Sequence, residues 1–488
     1  MNHVDENAVA VRGISWMILN TITGRVIVFA VQVALGWLLS ARDFGLYALA
    51  LSVSNALGSM RNGGTAELLR QRGARYGEVA SELTQYSLLF NVAALLLLLA
   101  AAPVAGSFLH SGDISWLIVC IGLSFPLGTF ANTYRCKLAI DHRFRELALL
   151  NTWSTLLWQL QVLVLALLGC RSFSYVVPMA TQGVIESAIG WYYLRHWPMR
   201  GSCISWKQVV ELFRETRWVM IGGAMLSLGL TGHYFVIGLI SDAQTVGLFF
   251  FAFQMVMMVF VILNNAVENV LPAMLATLNE NPQRRSVVGL NMLRLLLVIT
   301  FPLAGTIAVA APTAIRLIWH GKWDASAGAI SVLAFCIPAW IVIAVVRAVY
   351  EARGMWVHRL SLLTVYGIGG ILAAAIGARN GDARVVGLYV TGFYALFAAG
   401  LGLIMPGILQ STRREVTQAL LPPALACALC LLTALGAAAA FSRPNDSGLS
   451  GVAATATFAV VAAILNVMFF RPTWVAAGAA VKPAARVR

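Results

Sequence analysis

Charged side chains are scarce in this chain: 11% of its 488 residues are Asp, Glu, Lys or Arg, against roughly 25% in soluble domains. No long polar stretch interrupts the apolar runs, so there is no room for a sizeable aqueous domain. There is no Walker loop, no HExxH zinc motif and no GxSxG elbow, and with no segment to carry such a site an enzymatic role is not expected. Cysteine gives no disulfide framework. Among the seven, Cys427 and Cys430 stand two apart inside an apolar run without His or carboxylate neighbours, which reads as packing rather than metal or redox chemistry. The first dozen residues hold Asp5 and Glu6 and no basic leader, so no removable signal peptide is expected.

What remains is apolar. Hydrophobic residues make up 59% of the chain and the mean hydropathy is +0.80, the composition of an integral membrane protein. Runs near the 20 residues or so that cross a bilayer fall at 14–39, 45–67, 84–108, 114–134, 147–169, 175–194 and 218–240, then at 246–271, 290–311, 327–350, 360–378, 385–409, 418–441 and 450–470. Such runs must satisfy their own backbone hydrogen bonds in hydrocarbon, so helices are expected throughout. The expected fold is therefore all-α, with fourteen transmembrane helices.

The net charge of +14 is spread between spans rather than gathered on one domain, which argues against nucleic acid and for membrane orientation. Counted by alternate loops, twenty-four Lys and Arg lie on one face and seven on the other. The positive-inside rule then places both termini in the cytoplasm. Trp116, Trp197, Trp206, Trp319, Trp323, Trp356 and Trp474 stand at span ends, where interfacial rings are expected.

An internal repeat organises the spans. At one constant offset, Arg12, Trp16, Gly36, Ala41, Gly45, Leu46, Ala50 and Asn62 fall on Arg214, Trp218, Gly238, Ala243, Gly247, Leu248, Ala252 and Asn264. Each copy opens with a basic residue and a Trp, then reaches a Gly-Leu-aromatic turn after the same helix length. Six spans separate the copies, an even number, so both enter the membrane in one direction and are expected to be related by a parallel pseudo-two-fold axis. The expected domains are a six-helix lobe over 1–200, a second over 201–412, and two additional helices with a tail over 413–488.

Three motifs carry a family resemblance. They are the turn Leu38-Leu39-Ser40-Ala41-Arg42-Asp43-Phe44-Gly45-Leu46-Tyr47, the loop Ile318-Trp319-His320-Gly321-Lys322-Trp323-Asp324-Ala325, and Tyr350-Glu351-Ala352-Arg353-Gly354. With the span count, these resemble the polysaccharide-repeat-unit flippases of the Wzx type within the multidrug/oligosaccharidyl-lipid/polysaccharide exporter superfamily. Ala41 departs from the proline common at that place in the turn. The resemblance implies a cargo of oligosaccharide on polyprenyl pyrophosphate, moved to the outer leaflet of a bacterial inner membrane by alternating access. It also implies a polysaccharide polymerase and a chain-length regulator as partners, with membrane lipids around the chain and no nucleic acid. No cofactor is expected; coupling to a proton or sodium gradient stays open. Alternatives are a cation-coupled multidrug exporter, a peptidoglycan-precursor flippase, and a non-transporting scaffold for glycan assembly.

Polar residues inside spans are costly and mark a cavity or a pair. Arg25 lies near the middle of span one, sharing a stripe with Thr21, Gln32 and Gly36. It is expected either to meet a phosphate-bearing head or to pair with an acid. Glu186, central in span six, either pairs with Arg25 or takes a proton. In span two Asn55 and Asn62, with Arg61 beside them, read equally as cavity lining and as close helix packing. Gln254, Asn265 and Glu268 repeat the pattern in span eight, with Glu268 alternatively a wet end charge. His233 is either a titrating group or an inert buried ring. Arg347 is expected to snorkel, and Pro126, Pro178, Pro302, Pro338 and Pro406 to kink their spans, for motion or as static bends. A reporter enzyme fused after Arg414 should be active in the cytoplasm; periplasmic activity there breaks the fourteen-span topology.

Overall fold

The computed structural model describes residues 24, 27–58, 61, 63–72, 75–109, 111–195, 197–199, 203–278, 281–441 and 450–465. The described residues are helical, with no strand among them. Chain contacts divide into two units, Met1–Gly247 and Leu248–Arg488.

Unit 1 begins with α1 (Ile27–Leu38), α2 (Ala41–Gly58), α3 (Thr65–Gln71) and α4 (Tyr76–Phe108). It continues through α5 (Gly112–Leu127), α6 (Thr129–Ile140), α7 (Phe144–Leu167), α8 (Phe173–Leu194) and α9 (Trp206–Ile240), and holds the start of α10 (Ala243–Ala276). Here α2 packs along α9, α4 along α5, and α8 against both α5 and α7. Because α9 packs on α2, the contact division falls beyond the joint that the repeat suggests near residue 200.

Unit 2 continues α10 and adds α11 (Pro282–Trp319), α12 (Asp324–Leu333), α13 (Cys336–Ala352), α14 (Trp356–Ala378), α15 (Ala383–Leu409) and α16 (Arg413–Phe441). Last among the described helices is α17 (Ser450–Leu465). Within residues 324–352 the apolar window is 83% buried, as expected of a stretch apolar all round. Cys427 and Cys430 pack with Ala434, Ala454 and Phe458, and a Cβ on Gly305 would strike the Phe458 ring. The last two helices therefore seat on α11 through small residues.

Nine described helices are long and apolar enough to cross a membrane, or ten when α5 and α6, bent by 42° at Gly128, count as one. The described parts of the expected first, second, sixth and fourteenth spans fall on α1, α2, α8 and α17, which are not among these nine or ten. Outward faces carry Leu96, Leu396, Leu403 and Leu432 exposed, apolar surface that a bilayer and not water accommodates.

Helix starts are set by side-chain caps. Ser40 and Asp43 form a capping box at α2, the Ser40 N–H donating to the Asp43 carboxylate at 2.9 Å and the Asp43 N–H to Ser40 Oγ at 3.2 Å. At the matching place in the second copy, Asp242 accepts from the Thr245 N–H at 2.8 Å. Ser205 with Gln208 and Thr412 with Glu415 box the starts of α9 and α16.

Trp319 and Trp323 are not interfacial: both are buried, with Trp323 stacked on Phe251 at 4.0 Å and Trp319 edge-on to the same ring at 5.3 Å. The loop between them folds back through left-handed His320 and Gly321, which turns both rings inward. Arg347, expected to snorkel, donates to Glu268, whose side chain is exposed.

The repeated turns meet each other inside unit 1. A Cβ on Gly45 would strike the Ala243 carbonyl oxygen, and a Cβ on Gly247 would strike the Ala41 carbonyl oxygen. This contact is reciprocal, residue for residue, as a two-fold relation requires. Gly45→Ala and Gly247→Ala should each lower the melting temperature in detergent, by the equivalent of about 1–3 kcal/mol for overpacking. Gly77→Ala, with open space around it, should not; equal melting of all three would refute the backbone contact.

Candidate functional site

On α8, Gly183, Glu186 and Gly190 recur at i, i+3 and i+7 and so share one face. A Cβ at Gly183 would lie 2.7 Å from the Gly128 nitrogen, and one at Gly190 2.6 Å from the Tyr134 Cβ. The two glycines thus bring α8 against the α5–α6 break at backbone distance. Glu186, held between them, meets Arg135 of α6 in a bidentate pair, with Nη2 2.7 Å from Oε1 and Nε 3.1 Å from Oε2. Ser154 of α7 donates to the same carboxylate, as does Gln182 at 2.6 Å. Glu186 is 7% exposed, and a buried carboxylate needs such partners.

Arg135 stands one residue past the expected fourth span, 114–134, so linear spacing does not offer it as a partner for Glu186. The helix instead bends after Pro126 and continues to Ile140, which keeps Arg135 on a packed face. The small-residue spacing around Glu186 was the available signal.

Elsewhere in unit 1, Gln32 on α1 accepts a hydrogen bond from the Tyr175 hydroxyl at 2.9 Å. The Tyr175 ring stacks on Tyr47 at 4.6 Å, and the Gln32 Nε2 is buried with no partner among the described residues. Thr21, Arg25 and Asn62 lie outside the described residues. Asn55 is half-buried on α2. Arg61 follows the end of α2 with its guanidinium 4.2 Å from the Phe125 ring centroid, a cation–π contact. His233 on α9 is buried, bonds the Gly229 backbone and meets Tyr234 edge-on at 4.1 Å.

A polar ladder also escaped the sequence reading. Thr84 meets Thr133 at 3.2 Å, and Asn91 donates to Thr129 at 3.1 Å, tying α4 to α6. Its trace in sequence is Thr84, Ser87 and Asn91 at i, i+3 and i+7.

In unit 2, Gln254 and Asn265 are half-buried on α10. Glu268 accepts from Arg347 of α13 and from Asn264, with Arg359 and Glu351 paired nearby at 3.7 Å. Each unit thus holds carboxylates bound to arginines of neighbouring helices, Glu186 with Arg135 in one and Glu268 with Arg347 in the other. Such a pair is a polar node that rigidifies its helices while intact and frees a charge when parted. Among the described residues no group of His, Cys, Asp and Glu is arranged to hold a metal.

Residues 34–328 match the model of a family described as polysaccharide biosynthesis protein. No curated protein matches the chain. Among solved structures, it is similar to the lipid II flippase MurJ in an inward closed conformation, with TM-score 0.72 and 11% identity over 93% of this chain and 99% of that one. It is also similar to an inward-facing multidrug resistance MATE family transporter of the MOP superfamily, with TM-score 0.62 and 15% identity over 81% of this chain and 95% of that one. A further likeness, at TM-score 0.51 and 16% identity, is to a MOP superfamily transporter from Pyrococcus furiosus, over 82% and 94% of the two chains. At these identities the likeness is one of fold.

Removing one partner of a buried ion pair leaves the other uncompensated, at a cost on the order of 3 kcal/mol; the half-exposure of Arg135 lowers that figure. Arg135→Gln should therefore depress the melting temperature more than Arg135→Gln combined with Glu186→Gln. Additive losses in this cycle would show that the two side chains are not coupled.

Proposed function

The chain belongs to the polysaccharide biosynthesis protein family, and on that membership we propose that it is a flippase for polyprenyl-pyrophosphate-linked oligosaccharide. It would carry repeat units from the inner to the outer leaflet of the cytoplasmic membrane for exopolysaccharide or lipopolysaccharide assembly. The family match over residues 34–328 is the observation that carries this reading. The likeness in fold to a lipid flippase and to exporters supports movement across the bilayer as the activity.

The chemistry of the cargo explains the intramembrane residues. A pyrophosphate head is stabilised by guanidinium groups that reach it in a bidentate way, the role we assign to Arg25 and Arg61. Thr21, Gln32, Asn55, Asn62, Gln254 and Asn265 supply hydrogen bonds to sugar hydroxyls. Gln32 fits this role best, because its buried Nε2 has no partner among the described residues. If transport is coupled to a proton or sodium gradient, Glu186 and Glu268 are the carboxylates for it, and each must first leave its arginine. Both termini lie in the cytoplasm, and the repeat-defined lobes 1–200 and 201–412 move against each other while 413–488 stands aside. A polysaccharide polymerase and a chain-length regulator act on the delivered product.

A second reading, a peptidoglycan-precursor flippase, is favoured by the TM-score of 0.72 to the lipid II flippase. The two separate in one experiment. A deletion strain should grow, lose surface glycan and accumulate lipid-linked oligosaccharide on the inner leaflet; the intact gene should restore glycan, and Arg25→Ala should not, although the variant protein inserts at normal abundance. Growth arrest on deletion would instead establish the second reading, and full glycan from the Arg25→Ala strain would remove that residue from the mechanism.

A further inference from the structure

Between α7 and α8 lies an open groove of about 410 Å³, lined by Trp153, Leu157, Ala188, Ile189, Tyr192 and Tyr193. It runs toward the end of α8 at which the loop residues are basic. There Arg195 caps the helix in a left-handed conformation, φ 49°. Its guanidinium lies 5.1 Å from the Trp191 ring centroid and 5.0 Å from that of Tyr192. Arg195 is exposed, and among the described residues no carboxylate forms an ion pair with it. Arg143, paired with Glu146 at the start of α7, donates to the Tyr193 carbonyl at 3.2 Å, which fixes the two walls at this end.

We propose that this groove binds one anionic phospholipid, its phosphate on Arg195 and an acyl chain along Tyr192, Ala188 and Leu157. The shape of the charge decides the class. A largely apolar trough that ends in a cation beside two aromatic rings, with no carboxylate paired to it among the described residues, matches an amphiphile with one phosphate. The aromatic rings belong at the level of the headgroups, and an arginine there attracts anionic lipid. The occupant would brace the helix pair that supplies Ser154, Gln182 and Glu186 to the ion-pair node. This inference is independent of the cargo.

The test uses the full-length protein in detergent, with native mass spectrometry of lipid retained from equimolar phosphatidylglycerol and phosphatidylcholine. The intact protein should retain phosphatidylglycerol in preference. Arg195→Gln should reduce that preference roughly fivefold, the effect of one basic residue at a membrane surface, and Arg195→Lys should keep it. Ala188→Trp, at an exposed position, should expel the lipid by filling the groove, while Arg379→Gln, at another exposed basic position, should change nothing. Equal retention by Arg195→Gln and the intact protein would overturn the proposal. So would an unchanged Ala188→Trp, or retention of added polyprenyl phosphate in place of phospholipid.

Discussion

Backbone meets backbone at Gly45 and Gly247, and no side chain larger than hydrogen fits between them. In hydrocarbon there is little hydrophobic force to draw helices together, so association depends on close packing and on polar links. The reciprocal contact of the two turns provides the first. It needs both copies of the repeat, since each glycine rests on the alanine carbonyl of the other's turn. The caps that start these helices differ in chemistry, Ser40 with Asp43 in one copy and Asp242 with Thr245 in the other. The positions are nevertheless the same, because either arrangement satisfies an N-terminal amide that has no partner within its own helix.

Polar links provide the second. Glu186 with Arg135, Glu268 with Arg347, and the Thr84–Thr133 and Asn91–Thr129 contacts all join different helices. In each, groups that would be expensive alone in the membrane become the means by which helices are held in register. The same physics makes them informative about transport. A pair made between helices is stable only in the arrangement that brings those helices together, so movement of a helix is coupled to the fate of its charge.

The turn Ser40-x-x-Asp43 was legible as a helix start because capping is local. Ten of the fourteen expected spans, counting the bent α5–α6 pair as one, were legible because a bilayer imposes their length and composition. Buried Cys427 and Cys430 behaved as small apolar groups, as their surroundings implied. Less was legible wherever a residue's role depended on what approaches it. Trp319 and Trp323 stand at span ends in the sequence, yet a left-handed corner between them turns both rings onto Phe251. Arg347 stands near a span end as well, and its partner there, Glu268 of another helix, is set by packing and not by linear spacing.

Sequence by itself determined that this chain is a multi-pass, all-helical membrane protein with two matching turns. Those properties follow from composition, periodicity and repeated local motifs, each readable within a few turns of helix. Tertiary structure alone decided which arginine Glu186 meets, because the bend after Pro126 carries Arg135 to a face that linear spacing cannot specify. It also decided that α7 and α8 part into a groove beside Arg195, since a groove belongs to the space between helices and to neither helix's own pattern.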